Sequence, residues 1–361
     1  MDEPTLGVLA EDRSLAVDGP MPLSVFRRRR AIGLDVGSGS VKALGLERRR
    51  PGVVITGRAI RPVEPEADPR RIAQAIHEAL ATTGADGEPV VAAVGGPDVV
   101  IRQVALPPVP AAKILPALEI QHRELGLLPP GDAVIDAQVL RRSRDGVSND
   151  VLSVSVPRAR IDERLRLLEL AAVDVRILDV EPLALLNGAI ELTGLGAGDL
   201  LVLLTIGRVR SVLCLYSEQG PVVARYLETG AETLLEHIRS SFDLDAGATR
   251  DLARTMSAVQ ASRVEMVCRD ILERMAEDVR LSLTFYRTEY DRESVPRYAI
   301  GGSLGVPHLN RWLADRLELD APLEVLDPFK GLEVGTGRDG ESLAAAGPQF
   351  LQAFGLALRG L

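Results

Sequence analysis

The segment Asp35-Val36-Gly37-Ser38-Gly39-Ser40-Val41-Lys42 gathers residue types suited to holding a phosphate. Gly37 and Gly39 lack a Cβ, so successive backbone N–H groups of the turn can approach an anion, while Ser38 and Ser40 add hydroxyl donors. Asp35 ends an apolar run, where its carboxylate can hold a hydrated Mg2+. Lys42 brings an ammonium back toward the same turn. The same residues also describe a glycine-rich hairpin that binds nothing.

A second turn repeats the first about half a chain later. Here Thr205-Ile206-Gly207 stands where a copy would read Asp-x-Gly, so a second carboxylate to orient metal and attacking water is missing. Gly207 and Arg208, with Arg210 beside them, are placed to meet phosphate oxygens, although two arginines on a turn also describe a solvated face. Gly301-Gly302-Ser303 follows an apolar run and lets backbone approach an adenine or ribose. It equally describes a strand-to-helix turn capped by Ser303.

Other chemistry is not supported. There is no nucleophile elbow, zinc-ligand spacing or P-loop sequence, and no catalytic residue can be named. His77, His122, His237 and His308 are scattered one per segment and read as surface or satisfied histidines. Cys214 and Cys268 lie on apolar patterns far apart and read as small core hydrophobes.

These turns need strands to hold them. Residues 31–34 and 41–46 predict a hairpin around Gly37–Gly39, and 53–60 a third strand. Asp68-Pro69 predicts a helix start, with Ile72, Ile76 and Leu80 at four-residue spacing, and 90–94 a further strand. Residues 99–157 read as a small inserted subdomain: a strand, a helix at 114–125, a break at Pro129-Pro130, then strands 134–140 and 151–156. A helix at 160–171, a strand at 175–178 and a helix at 181–192 precede a second hairpin, 200–206 with 211–216. Two copies of one hairpin-led unit predict two related lobes facing each other, with both turns in one cleft. Helices at 229–290, a strand at 297–300 and a last helix near 349–358 complete the α/β pattern. The expected division is a flexible segment 1–30, a first lobe 31–199 plus 346–361, a second lobe 200–330 with its helical part at 229–292, and a loop 331–345.

At 361 residues the chain is long enough for two domains. Its net charge of −9 argues against a general nucleic-acid binder, which needs a basic face. The run Arg27–Arg30 is the exception, a solvated flank or a contact for anionic lipid headgroups. No apolar run is long enough to span a membrane and no secretory signal is evident, so a cytoplasmic location is expected.

The paired hairpins, the insertion and the late Gly-Gly turn resemble the actin-like ATPase superfamily, which includes actin, the division protein FtsA and the heat-shock chaperone ATPases. Within it the chain from about residue 25 to 361 resembles the PilM family of type IV pilus assembly. The resemblance is carried by Phe26 before a basic run and Ile32-Gly33-Leu34-Asp35-Val36-Gly37, by the Glu124–Asp136 segment, and by Asp179-Val180-Glu181-Pro182-Leu183-Ala184-Leu185. The helix residues Arg280–Tyr286, Val325-Leu326-Asp327-Pro328-Phe329 and the closing Phe354–Arg359 add to it.

That resemblance implies an actin-like (ribonuclease H-like) fold with two lobes around a nucleotide cleft. ATP would lie between them. Gly37, Ser38, Gly39, Ser40, Lys42, Gly207 and Arg208 would meet the phosphates, Asp35 the Mg2+ through water, and Gly301, Gly302 and Ser303 the nucleoside. It implies a scaffold peripheral to the cytoplasmic face of the inner membrane, bound to the N-terminal peptide of a PilN-like membrane protein in a groove beside the insertion, and to other platform proteins. Thr205 departs from the family's acidic second phosphate motif and leaves hydrolysis open. A nucleotide-free adaptor and a small-molecule kinase of the superfamily are the alternatives. Pilus, secretion and competence subtypes, and self-assembly, are not separated by the sequence.

Overall fold

The computed structural model describes residues 30–361 except 51, 65–66, 85–86, 127–131, 143–146, 219, 292, 304–307 and 335–342. The expectations for residues 1–29, for the Pro129-Pro130 break and for most of the 331–345 loop lie outside the described residues. Of the basic run only Arg30 is described. It opens a strand and pairs with Glu47 at 2.9 Å.

The first lobe begins with the meander β1 (Arg30–Val36), β2 (Ser40–Arg49) and β3 (Gly52–Pro62). Helix α1 (Pro69–Thr83) follows; Asp68 caps it by accepting a 2.7 Å bond from the Arg70 N–H, and left-handed Gly84 ends it. Ala73, Ile76 and Ala79 bury one face of α1 beneath the sheet. After β4 (Val90–Val94), the chain builds a small unit of β5 (Val100–Leu106), α2 (Ala111–Glu124), β6 (Ala133–Arg142) and β7 (Asn149–Pro157). It returns through α3 (Arg158–Leu170), β8 (Val175–Val180) and α4 (Glu181–Thr193).

The second lobe opens with β9 (Asp199–Ile206), β10 (Ser211–Tyr216) and β11 (Val223–Leu227). Helices α5 (Ala231–Ser241), α6 (Ala246–Thr255), α7 (Ala258–Val267) and α8 (Arg269–Glu289) lead to β12 (Val295–Gly302), α9 (Leu309–Arg316) and β13 (Glu324–Val325). The two-residue strand β14 (Glu333–Val334), a 3-10 helix at Ala344–Phe350 and α10 (Leu351–Gly360) carry the chain back to the first lobe.

Both lobes share one topology. The first sheet runs β14-β3-β2-β1-β4-β8 and the second β11-β10-β9-β12-β13. In each, the hairpin strands are antiparallel and the later ones join in parallel. A third sheet, β5-β7-β6, packs on α2 through Leu106, Leu118 and Val151. The run Leu200–Leu204 is apolar throughout because β9 is covered twice: Leu201 and Leu203 face the core shared with α4, while Leu200, Val202 and Leu204 face helices α5 to α9. Helix α4 thus lies between the two sheets. Its other side meets α10 so closely that a Cβ on Gly355 would lie 1.8 Å from the Ala184 carbonyl oxygen.

Strands β11 and β13, helix α9 and the 3-10 helix at Ala344–Phe350 were not anticipated. Within the segment read as a loop, Glu333 and Val334 pair in parallel with Val54 and Ile55 of β3.

Candidate functional site

The two hairpin turns are built alike. In the first, the Gly37 N–H donates to Ser40 O at 3.1 Å; in the second, the Gly207 N–H donates to Arg210 O at 3.0 Å. Register makes the correspondence residue by residue: Asp35 faces Lys42 across one hairpin, and Thr205 faces Val212 across the other. The second copy has therefore lost a carboxylate and an ammonium at matching places. Both turns line one cleft of about 1000 Å3 between the lobes.

At its floor Lys42 Nζ lies 2.9 Å from Asp35 Oδ2, both side chains more than nine-tenths buried. Thr205 is buried nearby, its Oγ1 without a hydrogen-bond partner. Gly37, Ser38, Gly39, Ser40, Gly207 and Arg208 line the cleft as expected, as do Gly302 and Ser303. Gly302 adopts φ +86° and lies so close to β9 that a Cβ would fall 2.3 Å from Ile206 O, so only glycine suits it. Gly301 is not among the lining residues; a Cβ there would meet the Leu351 side chain at 2.7 Å. The Ser303 N–H donates to Ile206 O at 2.7 Å.

Arg208 reaches across the cleft. Its Nε donates to Glu232 at 2.9 Å and its Nη1 to the first-lobe carbonyl of Val63 at 3.4 Å, with its methylenes over Gly39. Arg210 pairs with Glu228 at 3.3 Å.

Lining residues that sequence reasoning did not assign to the site include Glu181, Tyr226 and Arg164. Glu181, the first residue of α4, accepts a 3.0 Å hydrogen bond from Tyr226 of β11. Burial, and then the Asp35 carboxylate, push its carboxyl up to about 7, against the lowering effect of the Tyr226 bond. Burial and Glu181 raise the Tyr226 hydroxyl in turn. Arg164 of α3 donates to Val36 O at 3.3 and 3.4 Å, and burial lowers its pKa against the pull of Asp35 and Glu181. Glu181 had been quoted only within a resemblance. Its signal was a carboxylate placed directly after a buried strand; Arg164 had none, since an arginine on a helix usually marks a solvated face.

One histidine departs from expectation. His122 is neither exposed nor satisfied: it is 1% exposed and neither ring nitrogen has a partner.

A nucleotide fits the glycine-lined turns and the floor cations. No group of three or more His, Cys, Asp or Glu side chains able to hold a metal occurs among the described residues. The donors present, Asp35 and the unpartnered Thr205 hydroxyl, suit Mg2+ held through its water shell.

The profile of the family described as type IV pilus assembly protein PilM matches residues 33–361. A chain of a solved PilM-PilN type IV pilus biogenesis complex is 27% identical, with a TM-score of 0.76 over 92% of this chain and 99% of that one. Two more distant structures share the fold. The ethanolamine utilization protein EutJ from Carboxydothermus hydrogenoformans is 14% identical, with a TM-score of 0.52 over 94% of this chain and 91% of its own. A diol dehydratase-reactivating factor in nucleotide-free form is 12% identical, with a TM-score of 0.51 over 92% and 99%. The fold is that of the actin-like ATPases, and the chain belongs to the PilM family of type IV pilus assembly proteins.

Proposed function

We propose that this chain is a nucleotide-binding scaffold of pilus assembly, which takes ATP between its lobes and captures the cytoplasmic N-terminal peptide of a PilN-like inner-membrane protein. The observation that carries the nucleotide half is the convergence of two matching turns on one cleft whose floor holds the buried Asp35–Lys42 pair. Turn amides, Ser38, Ser40 and Lys42 would meet the phosphates, Asp35 the Mg2+ through water, and Gly302 and Ser303 the nucleoside. Thr205 and Val212, uncharged where the first hairpin has Asp35 and Lys42, favour binding over hydrolysis. The partner half rests on the PilM-PilN complex named above. No helix among the described residues is long and apolar enough to cross a membrane, so attachment to the inner membrane would come through the partner. Nucleotide would act as a conformational ligand, shifting peptide affinity only as far as it binds open and closed lobes differently.

A nucleotide-free adaptor is the second reading. It is favoured by one observation: Lys42 is already engaged by Asp35, and Arg208 by Glu232 and Val63 O.

Calorimetric titration of the full chain with Mg-ATP, beside a folded Asp35→Asn control, decides between them. Micromolar binding that is lost in the control supports the scaffold and makes PilN-peptide affinity with and without ATP the next measurement. Absence of binding in both leaves the adaptor.

A further inference from the structure

Seven basic side chains line the cleft: Lys42, Arg160, Arg164, Arg208, Arg210, Arg239 and Arg250. Five of them are hydrogen-bonded to a carboxylate: Lys42 to Asp35, Arg160 to Asp98, Arg208 to Glu232, Arg210 to Glu228 and Arg239 to Glu236. Arg250 is exposed and bonds a carbonyl of its own helix at 3.1 Å. Arg164 alone combines a half-buried position with no acidic hydrogen-bond partner among the described residues. A guanidinium offers five N–H donors, and this one spends them on two long bonds to the Val36 carbonyl, at 3.3 and 3.4 Å.

The charge balance at the floor makes that surplus count. Asp35 is already met by Lys42 at 2.9 Å. The other acids near Arg164 are engaged elsewhere: Glu181 accepts from Tyr226 at 3.0 Å and Glu163 pairs with Arg160 at 3.9 Å. A desolvated cation that no anion meets directly is costly, so a site built this way is completed by an anionic ligand.

Position selects which anion. Arg164 is tethered to Val36, the residue just before the Gly37 turn, and so stands on the first-lobe wall beside Asp35. The candidate nucleoside wall, Gly302-Ser303, hangs from β12 on the second lobe, next to Ile206. A nucleotide laid from that wall onto the first-lobe turn has its outermost phosphate at its first-lobe end. We infer that Arg164 is a specificity-determining residue that contacts the terminal phosphate of a nucleoside triphosphate and so separates it from the diphosphate. This rests on the nucleotide reading above.

The test is calorimetric titration of the full chain with ATP and with ADP at fixed Mg2+, for wild type, Arg164→Ala and Arg164→Lys, with folding checked by denaturant unfolding. Loss of a charge-assisted contact predicts ATP affinity falling by roughly 10- to 100-fold in Arg164→Ala, ADP affinity holding within about twofold, and partial recovery in Arg164→Lys. Equal losses for both nucleotides, or no change for either, overturn the role of Arg164 and leave nucleotide binding standing. Wild type binding neither nucleotide overturns the nucleotide reading and this inference with it. If Arg164→Ala does not fold, Arg164→Lys carries the same comparison, since an ammonium cannot reproduce the planar fork.

Discussion

The Tyr226 hydroxyl, on the second lobe, donates a 3.0 Å hydrogen bond to Oε2 of Glu181, on the helix between the two sheets. The bond ties β11 to α4 at the inner edge of the cleft, and a Cβ on Gly95 would meet the same carboxyl oxygen, so the acid is held from the first-lobe side as well. A hydroxyl donates more strongly to a carboxylate than to a neutral acid. Because the Glu181 carboxyl is pushed up to about 7, Tyr226→Phe should cost about 1 kcal/mol of stability at pH 6 and roughly 2 kcal/mol at pH 8. Denaturant unfolding at both values checks this; a penalty independent of pH would mean that the bond does not sense the charge on Glu181.

The seam between α4 and α10 tolerates no side chain where it is tightest. A Cβ on Gly355 would lie 1.8 Å from backbone at Ala184, and neither helix can yield without displacing a sheet. Gly355→Ala should lose about 3 kcal/mol or more, or fail to fold. Gly52→Ala, where nothing lies within 4 Å, should change stability by less than about 0.5 kcal/mol. Parallel unfolding curves of the two variants make the comparison.

The Asp35–Lys42 pair is a buried ion pair bridging two strands of one hairpin. Removing one partner strands the other charge, so Asp35→Ala and Lys42→Met should each cost roughly 3 kcal/mol. The double variant should cost clearly less than the sum, because it leaves no orphan charge. A denaturant double-mutant cycle measures that coupling, and additive losses would place the pair in contact with bulk water rather than in a closed floor.

The parts of the fold legible in the sequence are those whose signal is local. Asp68-Pro69 and the Ile72, Ile76, Leu80 spacing announce α1 because capping and periodicity are properties of a single helix. The two turns are legible because tight turns demand small residues: a Cβ on Gly207 would lie 2.4 Å from Arg210 O, and one on Gly39 2.5 Å from the Arg208 side chain. Strand β11 was not legible: Arg225 and Tyr226 interrupt any apolar pattern, and the strand forms only because β10 offers it a ladder. Strand β14 has two residues and exists only by pairing with β3. Glu181, Arg164 and Tyr226 acquire meaning only when α3, α4 and β11 converge on the cleft, a relation between residues separated by 62 positions at the widest that no spacing rule contains. Gly301 was assigned to ligand from its neighbours' pattern; the fold adds a close approach to Leu351 that the pattern does not contain.

His122 was read as a surface or satisfied histidine because the four histidines are scattered one per segment. In the fold it lies in the small subdomain with both ring nitrogens unpartnered, and burial, aided by the nearby Arg102 charge, holds its pKa below the usual value of 6.5. The sign follows directly. A base whose folded pKa is depressed contributes stability that is present above pH 6.5 and is lost as pH falls toward the folded value, because the unfolded chain takes up the proton first. His122→Leu fills a similar volume, removes two unsatisfied nitrogens and abolishes the titration. It should raise stability by about 1 kcal/mol at pH 7.5, and the advantage should widen at pH 5.5 as the wild type weakens. Unfolding curves at the two values supply the test, and an advantage that narrows on acidification would show that His122 finds a partner for its proton.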